Sequence, residues 1–309
     1  EWQGVPWFQS HGQWGARGYN NLAPGDAIFF DWDGTAVISR KAPVDDAVAV
    51  MKPLLAKGIK LVVVSGTTYE NIAGGRLHEY FTPEELTHLW LGLGRGAYNY
   101  RYHEDGSPYI WKHCIPGKEE MLAIHDTAYA IHRILLEQYG YPTDVVFSRP
   151  NYCKIDLMVD NNRGDQLFFQ SSELDQVKQT LETHNFHGGL LGLVKLADET
   201  AAEYGVKAAS TTDAKYLEVG VSSKSDNVNT ILTQLMEEDA IAPKDCAYWG
   251  DEYIGLDDSL FGSDSYMKTP LTGDGDFFDV SEAAGARPDK VQVLGGGVEK
   301  FLEFLRSQV

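Results

Sequence analysis

Short apolar runs that stop at polar residues punctuate this chain, and their order predicts its architecture. The run AIFF at 27 to 30 is rich in strand formers and ends at Asp31, with Gly34 and Thr35 close behind. That is the pattern of a buried strand with a polar mouth. From Pro43 to Lys57, Val44, Ala47, Val48, Met51, Leu54 and Leu55 share one face at helical spacing, with Pro53 expected to kink the helix and Gly58 to stop it. The next run, IKLVVVS, delivers Ser65 and Gly66 at its end. Strand, helix and strand in such quick succession predict a right-handed parallel crossover.

The same grammar returns near the carboxyl end. Val228, Ile231, Leu232, Leu235 and Met236 form a helical stripe, CAYWGDE reads as a strand ending at Asp251, and VQVL leads through Gly295 to Gly297 into a stripe of Val298, Phe301, Leu302 and Leu305. Residues 27–97 and 220–309 therefore read as two halves of one doubly wound, Rossmann-like parallel sheet, an α/β core. Between them, 98–219 has a different flavour. Candidate strands at 98–102, 109–111, 145–147, 155–159, 190–196 and 216–219 mix with helices near 118–139 and 173–184. This predicts an inserted α+β cap domain that moves as a unit on two short links. Residues 1–26 hold Trp2, Trp7, Phe8, Trp14 and Tyr19 without strand or helix period, and read as an aromatic arm packed on the body or on a second subunit.

A length of 309 residues suits two domains. The net charge of −19 leaves no basic field for a nucleic acid or an anionic membrane surface. A small phosphate ester remains compatible, provided a metal ion and a few placed cations offset the charge. Three widely spaced cysteines, Cys114, Cys153 and Cys246, make neither a disulfide framework nor a paired-cysteine metal site. No stretch is long and apolar enough to span a bilayer, and the first residues lack the order of a signal peptide. The expectation is a cytoplasmic monomer or homodimer.

Ligands of parallel sheets collect beyond the carboxyl ends of the strands. Four such ends carry suitable residues: Asp31 with Asp33, Ser65 with Gly66, Lys224, and Asp251. A carboxylate at 31 can attack phosphorus, and Asp33, where the chain turns, can protonate a departing alcohol and later deprotonate water. Ser65 can donate to a phosphoryl oxygen, and Lys224 can balance the charge of carboxylate and phosphate. Asp251, with the Asp31 side chain and the Asp33 carbonyl, makes the oxygen-only set that magnesium prefers. Glu252, Asp257 and Asp258 follow closely and can hold waters or the lysine from behind. No EF-hand pattern follows Asp31, the glycines of GLGRGA are spaced wrongly for a dinucleotide fingerprint, and His125 and His132 fall on the apolar face of their helix, where packing is the expectation.

The strings FFDWDGT, VVVSGTT, GVSSKSDN and WGDEYIGLDD resemble, in order and spacing, the four motifs of the haloacid dehalogenase superfamily of phosphohydrolases. The insertion between the second and third motifs, with GRGAYNY just before it, is similar to the subgroup with the α/β cap of Cof type. The resemblance implies Asp31 as nucleophile, Asp33 as acid and base, Ser65 and Lys224 as phosphate ligands and Asp251 as a magnesium ligand. It also implies a Mg2+-dependent phosphatase that works through an aspartyl-phosphate on a small phosphorylated metabolite, with a sugar phosphate first. A phosphosugar mutase using the same intermediate and a silent sugar-phosphate binder are the alternatives. One departure stands out. The family places another acid four or five positions after the fourth-motif aspartate, where this chain has Gly255 and Leu256; Asp257 or Asp258 must serve through a longer loop, and the stretched loops of related sugar-phosphate enzymes favour Asp258. Trp32, larger than the usual residue between the two aspartates, is expected to pack in the core.

Overall fold

A computed structural model describes residues 22–147, 149–161, 171–257 and 259–309. The aromatic arm falls outside the described residues except for 22–26, and so does Asp258.

The body is an eight-stranded sheet built from β1 (Ala27–Phe30), β2 (Lys60–Val64), β3 (Leu89–Leu93), β4 (Tyr98–Tyr102), β5 (Pro108–His113), β10 (Cys246–Gly250), β13 (Asp276–Asp279) and β14 (Val291–Val293), in the order β14-β13-β10-β1-β2-β3-β4-β5. The six strands from β14 to β3 run parallel, and β4 and β5 are added antiparallel at one edge. Strand β1 is buried over its whole length, as a strand covered on both faces must be. Its alternate residues serve two cores. Ile28 and Phe30 join helices α1 (Asp45–Ala56) and α7 (Gly297–Ser307) on one face, while Ala27 and Phe29 join α6 (Lys224–Asp239) on the other. Helix α1 runs on through Pro53 to its end at Ala56, and Trp32 is buried as expected. A one-turn helix α2 (Pro83–Leu86), closed by a capping box from Thr82 to Glu85, leads into β3.

The inserted part carries its own four-stranded antiparallel sheet, β6 (Asp144–Val146), β7 (Tyr152–Asp156), β8 (Thr211–Thr212) and β9 (Tyr216–Gly220), in the order β6-β7-β9-β8. Helices α3 (Lys118–Tyr139), α4 (Ser171–Thr183) and α5 (Gly189–Glu203) build a second apolar core with it through Ile131, Leu135, Ile155, Val177, Leu193 and Leu217. Two expectations differ from this arrangement. The strand expected at 190–196 is part of α5: Leu190, Leu193, Val194, Ala197 and Ala201 are buried at helical spacing, a pattern that only the full 15-residue length discloses. The division expected at residue 98 does not coincide with the division between the sheets. β4 turns back from β3 and extends the body sheet, held there by Arg101, which lies over the Trp90 ring and pairs with Glu238 of α6. Among the described residues no helix is long and apolar enough to cross a membrane.

A hairpin of β11 (Gly255–Asp257) and β12 (Leu260–Phe261) leaves the body after β10. Its Leu256 and Leu260, with Ile254 before it, pack into the core of the inserted part. The hairpin thereby ties the body to α5.

Candidate active site

Parallel pairing continues one residue beyond β1, where the Asp31 N–H donates to the Trp249 carbonyl at 3.0 Å. This sets Asp31 and Asp251 at the ends of adjacent strands. The chain then turns tightly: the N–H groups of Thr35, Ala36 and Val37 all donate to the Trp32 carbonyl, and Gly34 donates to Val37. Gly34 holds φ at +84°, and a Cβ there would lie 2.1 Å from Asp251 Oδ2. Glycine is required on both counts. The Thr35 hydroxyl, fully buried, donates to Asp251 Oδ1 at 3.2 Å.

Asp33 sits at this turn with Arg40 Nε 3.7 Å from its Oδ2. Its Oδ1 is buried without a hydrogen-bond partner among the described residues. Burial raises its carboxyl above the ordinary range, against the opposing pull of Arg40 and Lys224. At the end of β2, Ser65 is buried and its hydroxyl accepts the Thr67 N–H, while nothing stands within 4 Å of where a Gly66 Cβ would be.

Lys224 is the first residue of α6. Ser223 caps that helix in a box with Asp226, fixing the turn from which Lys224 points. Its ammonium donates to Asp264 Oδ1 at 2.7 Å and lies 3.3 Å from Asp31 Oδ1. Burial lowers its proton affinity, but Asp264, Asp31 and Glu252 outweigh burial and hold the ammonium well above its usual range.

Asp264 is the residue that sequence reasoning missed. It is fully buried; Oδ1 takes Lys224, and Oδ2 accepts the N–H groups of Asp251 at 3.0 Å and Glu252 at 2.9 Å. Thirteen positions separate it from Asp251 because the docked hairpin intervenes. Asp257 is not among these groups: it sits in that hairpin, and its Oδ2 accepts the Leu191 N–H at the start of α5. Glu252 does join the group, bonded by Ser263. Its sequence signal is the single acid of the turn FGSDSY; in the structure Gly250 lies against it, where a Cβ would meet Asp264 Oδ2 at 2.4 Å.

Negative charge is in excess here. Asp31 is held well above the usual carboxylate range by burial and then by Asp264, with Lys224 opposing. Asp251 is raised by burial and then by Asp31, and Glu252 is pushed up to about 7 by burial and Asp264. Asp31, Asp251 and Asp264 each offer an oxygen within 4.8 Å of the others. The Asp264 oxygens are already engaged by Lys224 and two backbone N–H groups, so Asp31 and Asp251 are the pair that fit a hard divalent cation, with Asp264 supporting them.

No protein-family model and no curated protein matches the sequence. Solved structures do match the fold. N-terminally truncated IMP-nucleotidase of Plasmodium falciparum superposes with a TM-score of 0.55 at 14% identity, over 92% of this chain and 70% of that one. Aspergillus fumigatus trehalose-6-phosphate phosphatase gives a TM-score of 0.54 at 14% identity, over 91% of both chains. The likeness is one of fold, a mainly parallel α/β sheet with helices on both faces.

Between the body and the inserted sheet lies a cavity of about 190 Å³. The body lines it with Asp31, Asp33, Ser65, Gly66, Thr67 and Lys224, and the inserted part with Arg149, Tyr152, Lys154, Thr211 and Thr212. A larger cavity of about 500 Å³ opens beside Asp251 and Glu252, but it is walled mainly by apolar residues such as Ile254, Leu256 and Val280 and has no contact with Asp31, Ser65 or Lys224. The smaller cavity is the one that Asp31, Asp33, Ser65 and Lys224 share. Thr67, also absent from the sequence reading, contributes a buried hydroxyl oxygen without a partner among the described residues.

Proposed function

We propose that this chain is a Mg2+-dependent phosphatase that hydrolyses a small phosphomonoester through an aspartyl-phosphate on Asp31. The observation that carries the reading is the convergence of Asp31, Asp33, Ser65, Gly66 and Lys224 on one cavity at the carboxyl ends of adjacent strands, with Asp251 beside Asp31. An Asp31 oxygen attacks phosphorus as the ester oxygen leaves. Asp33 protonates that oxygen; its raised proton affinity and its free, buried Oδ1 suit an acid. The same carboxylate then takes a proton from the water that cleaves the acyl phosphate, returning Asp31 and inorganic phosphate. Ser65, the Gly66 backbone and Lys224 hold the phosphoryl oxygens. Asp31 and Asp251 would hold magnesium, which when bound neutralises charge on the phosphoryl group. Asp264 takes the supporting part that the sequence assigned to Asp257 or Asp258. The position of the inserted sheet between Ser65 and Lys224 supports a cap of Cof type, and sugar phosphates head the candidate esters by analogy.

Phosphate release from a panel of sugar phosphates and shorter phosphate esters is expected to require magnesium and to stop on chelation. Transfer of the phosphoryl group to a second hydroxyl with no free phosphate would instead make the chain a mutase. Gly34→Ala is expected to lower turnover by about 100-fold, since the added methyl group must displace Asp251. Turnover within twofold of the natural protein would show that Asp251 has no need of its present place.

A further inference from the structure

The hydrolase reading leaves the inserted wall of the cavity without a task. Five of the nineteen residues around the cavity are the cations Arg40, Arg95, Arg149, Lys154 and Lys224, set against as many acids. Four of these cations already have local work. Lys224 is held by Asp264 and Asp31, and Arg40 faces Asp33. Arg95 donates to the carbonyls of Ser222 and Ala209 and to the Thr211 hydroxyl, and it pairs with Glu218 at 3.4 Å. Arg149 is bonded to Tyr152.

Lys154 differs. It lies on β7, and its partner across the sheet, Glu218, is turned to Arg95. Among the described residues its ammonium makes no ion pair; it rests 4.9 Å from the centre of the Tyr216 ring. A half-buried ammonium that faces a partly enclosed cavity and has no carboxylate of its own is a ready partner for an anion of the ligand. The phosphoryl group is not that anion, because Ser65, Gly66 and Lys224 on the body side already provide for it. Size adds a second constraint. At about 190 Å³ the cavity is smaller than the roughly 300–1,000 Å³ usual for larger small-molecule ligands, so the group beyond the ester oxygen is short.

We propose that Lys154 binds a second anionic group, a carboxylate or a further phosphate, on the leaving-group part of a short-chain phosphomonoester. The inference rests on the phosphatase reading for the place of the phosphoryl group. Its test is binding, which does not need turnover. Calorimetry on the Asp31→Asn protein with magnesium compares phosphoglycerate, propanediol bisphosphate and glycerol phosphate, three ligands of similar length. At least one doubly anionic ligand is expected to bind about tenfold more tightly than glycerol phosphate, and which one does so tells carboxylate from phosphate. Lys154→Met, which keeps the stem over Tyr216, is expected to bring that ratio close to one, while Lys154→Arg keeps it. Equal affinity for all three ligands, binding of none, or a ratio untouched by Lys154→Met would overturn the proposal. Should the preference hold while the natural protein releases no phosphate, the hydrolase reading falls and the anion site stands.

Discussion

Asp31→Asn is expected to cut phosphate release by at least about 10⁴-fold, the scale on which loss of a nucleophile acts, and at the same time to make the magnesium-free protein more stable by about 1 kcal/mol. The two effects share one cause. The Asp31 carboxylate is 6% exposed and faces Asp264 and Glu252, with Lys224 and a hydrogen bond with Asp251 in opposition. A neutral amide of the same shape ends that repulsion and leaves Lys224 paired with Asp264. The sign with pH follows. Because the folded carboxyls of Asp31 and Asp251 are raised, the folded protein binds more protons than the unfolded chain from about pH 4 upward. Stability without magnesium therefore falls as pH rises through that window, and it falls less steeply in Asp31→Asn. Under the proposed function magnesium binds the folded natural protein and stabilises it by mass action, so the gain of the variant is expected to shrink or reverse when the ion is added. Urea unfolding at two pH values, with and without magnesium, reads all of this. A variant that keeps full activity, or one destabilised without magnesium, would remove Asp31 from the role of charged nucleophile.

What the sequence disclosed and what it hid divide along a physical line. Asp31, Asp33, Ser65, Lys224 and Asp251 are legible because each stands directly at the end of a short apolar run or at a helix start, so local pattern fixes place. The parallel body was legible for the same reason. Asp264 was not, because its place depends on where a hairpin docks: Leu256 and Leu260 bury themselves against the inserted part, carry Asp257 to the Leu191 N–H and let the chain return thirteen positions later. β4 and β5 fall in the 98–219 segment read as the insertion, yet β4 pairs with β3 and β5 with β4. The segment 190–196 reads as a strand because a short run that is apolar but for Lys195 suits a strand as well as the start of a helix.

Asp264 carries the second large effect. Asp264→Ala removes the closest partner of a lysine whose side chain is 7% exposed, and it strips the acceptor from the N–H groups of Asp251 and Glu252. Breaking a buried pair from one side costs about 3–5 kcal/mol, because the remaining charge is left without compensation. Asp31 softens this only in part, at 3.3 Å from the same ammonium. Activity is expected to fall with stability, since a Lys224 drawn wholly to Asp31 occupies the proposed nucleophile. Adding Lys224→Met separates the two losses. The double variant is expected to recover most of the stability, as coupled neighbours do, and none of the activity, since no cation then faces the phosphoryl group. Asp257→Asn, in the hairpin, is the contrast and should leave turnover within about twofold. If Asp264→Ala lost less than about 1 kcal/mol in urea unfolding, or if Asp257→Asn matched it in lost activity, the acid supporting this site would lie in the hairpin and not at Asp264.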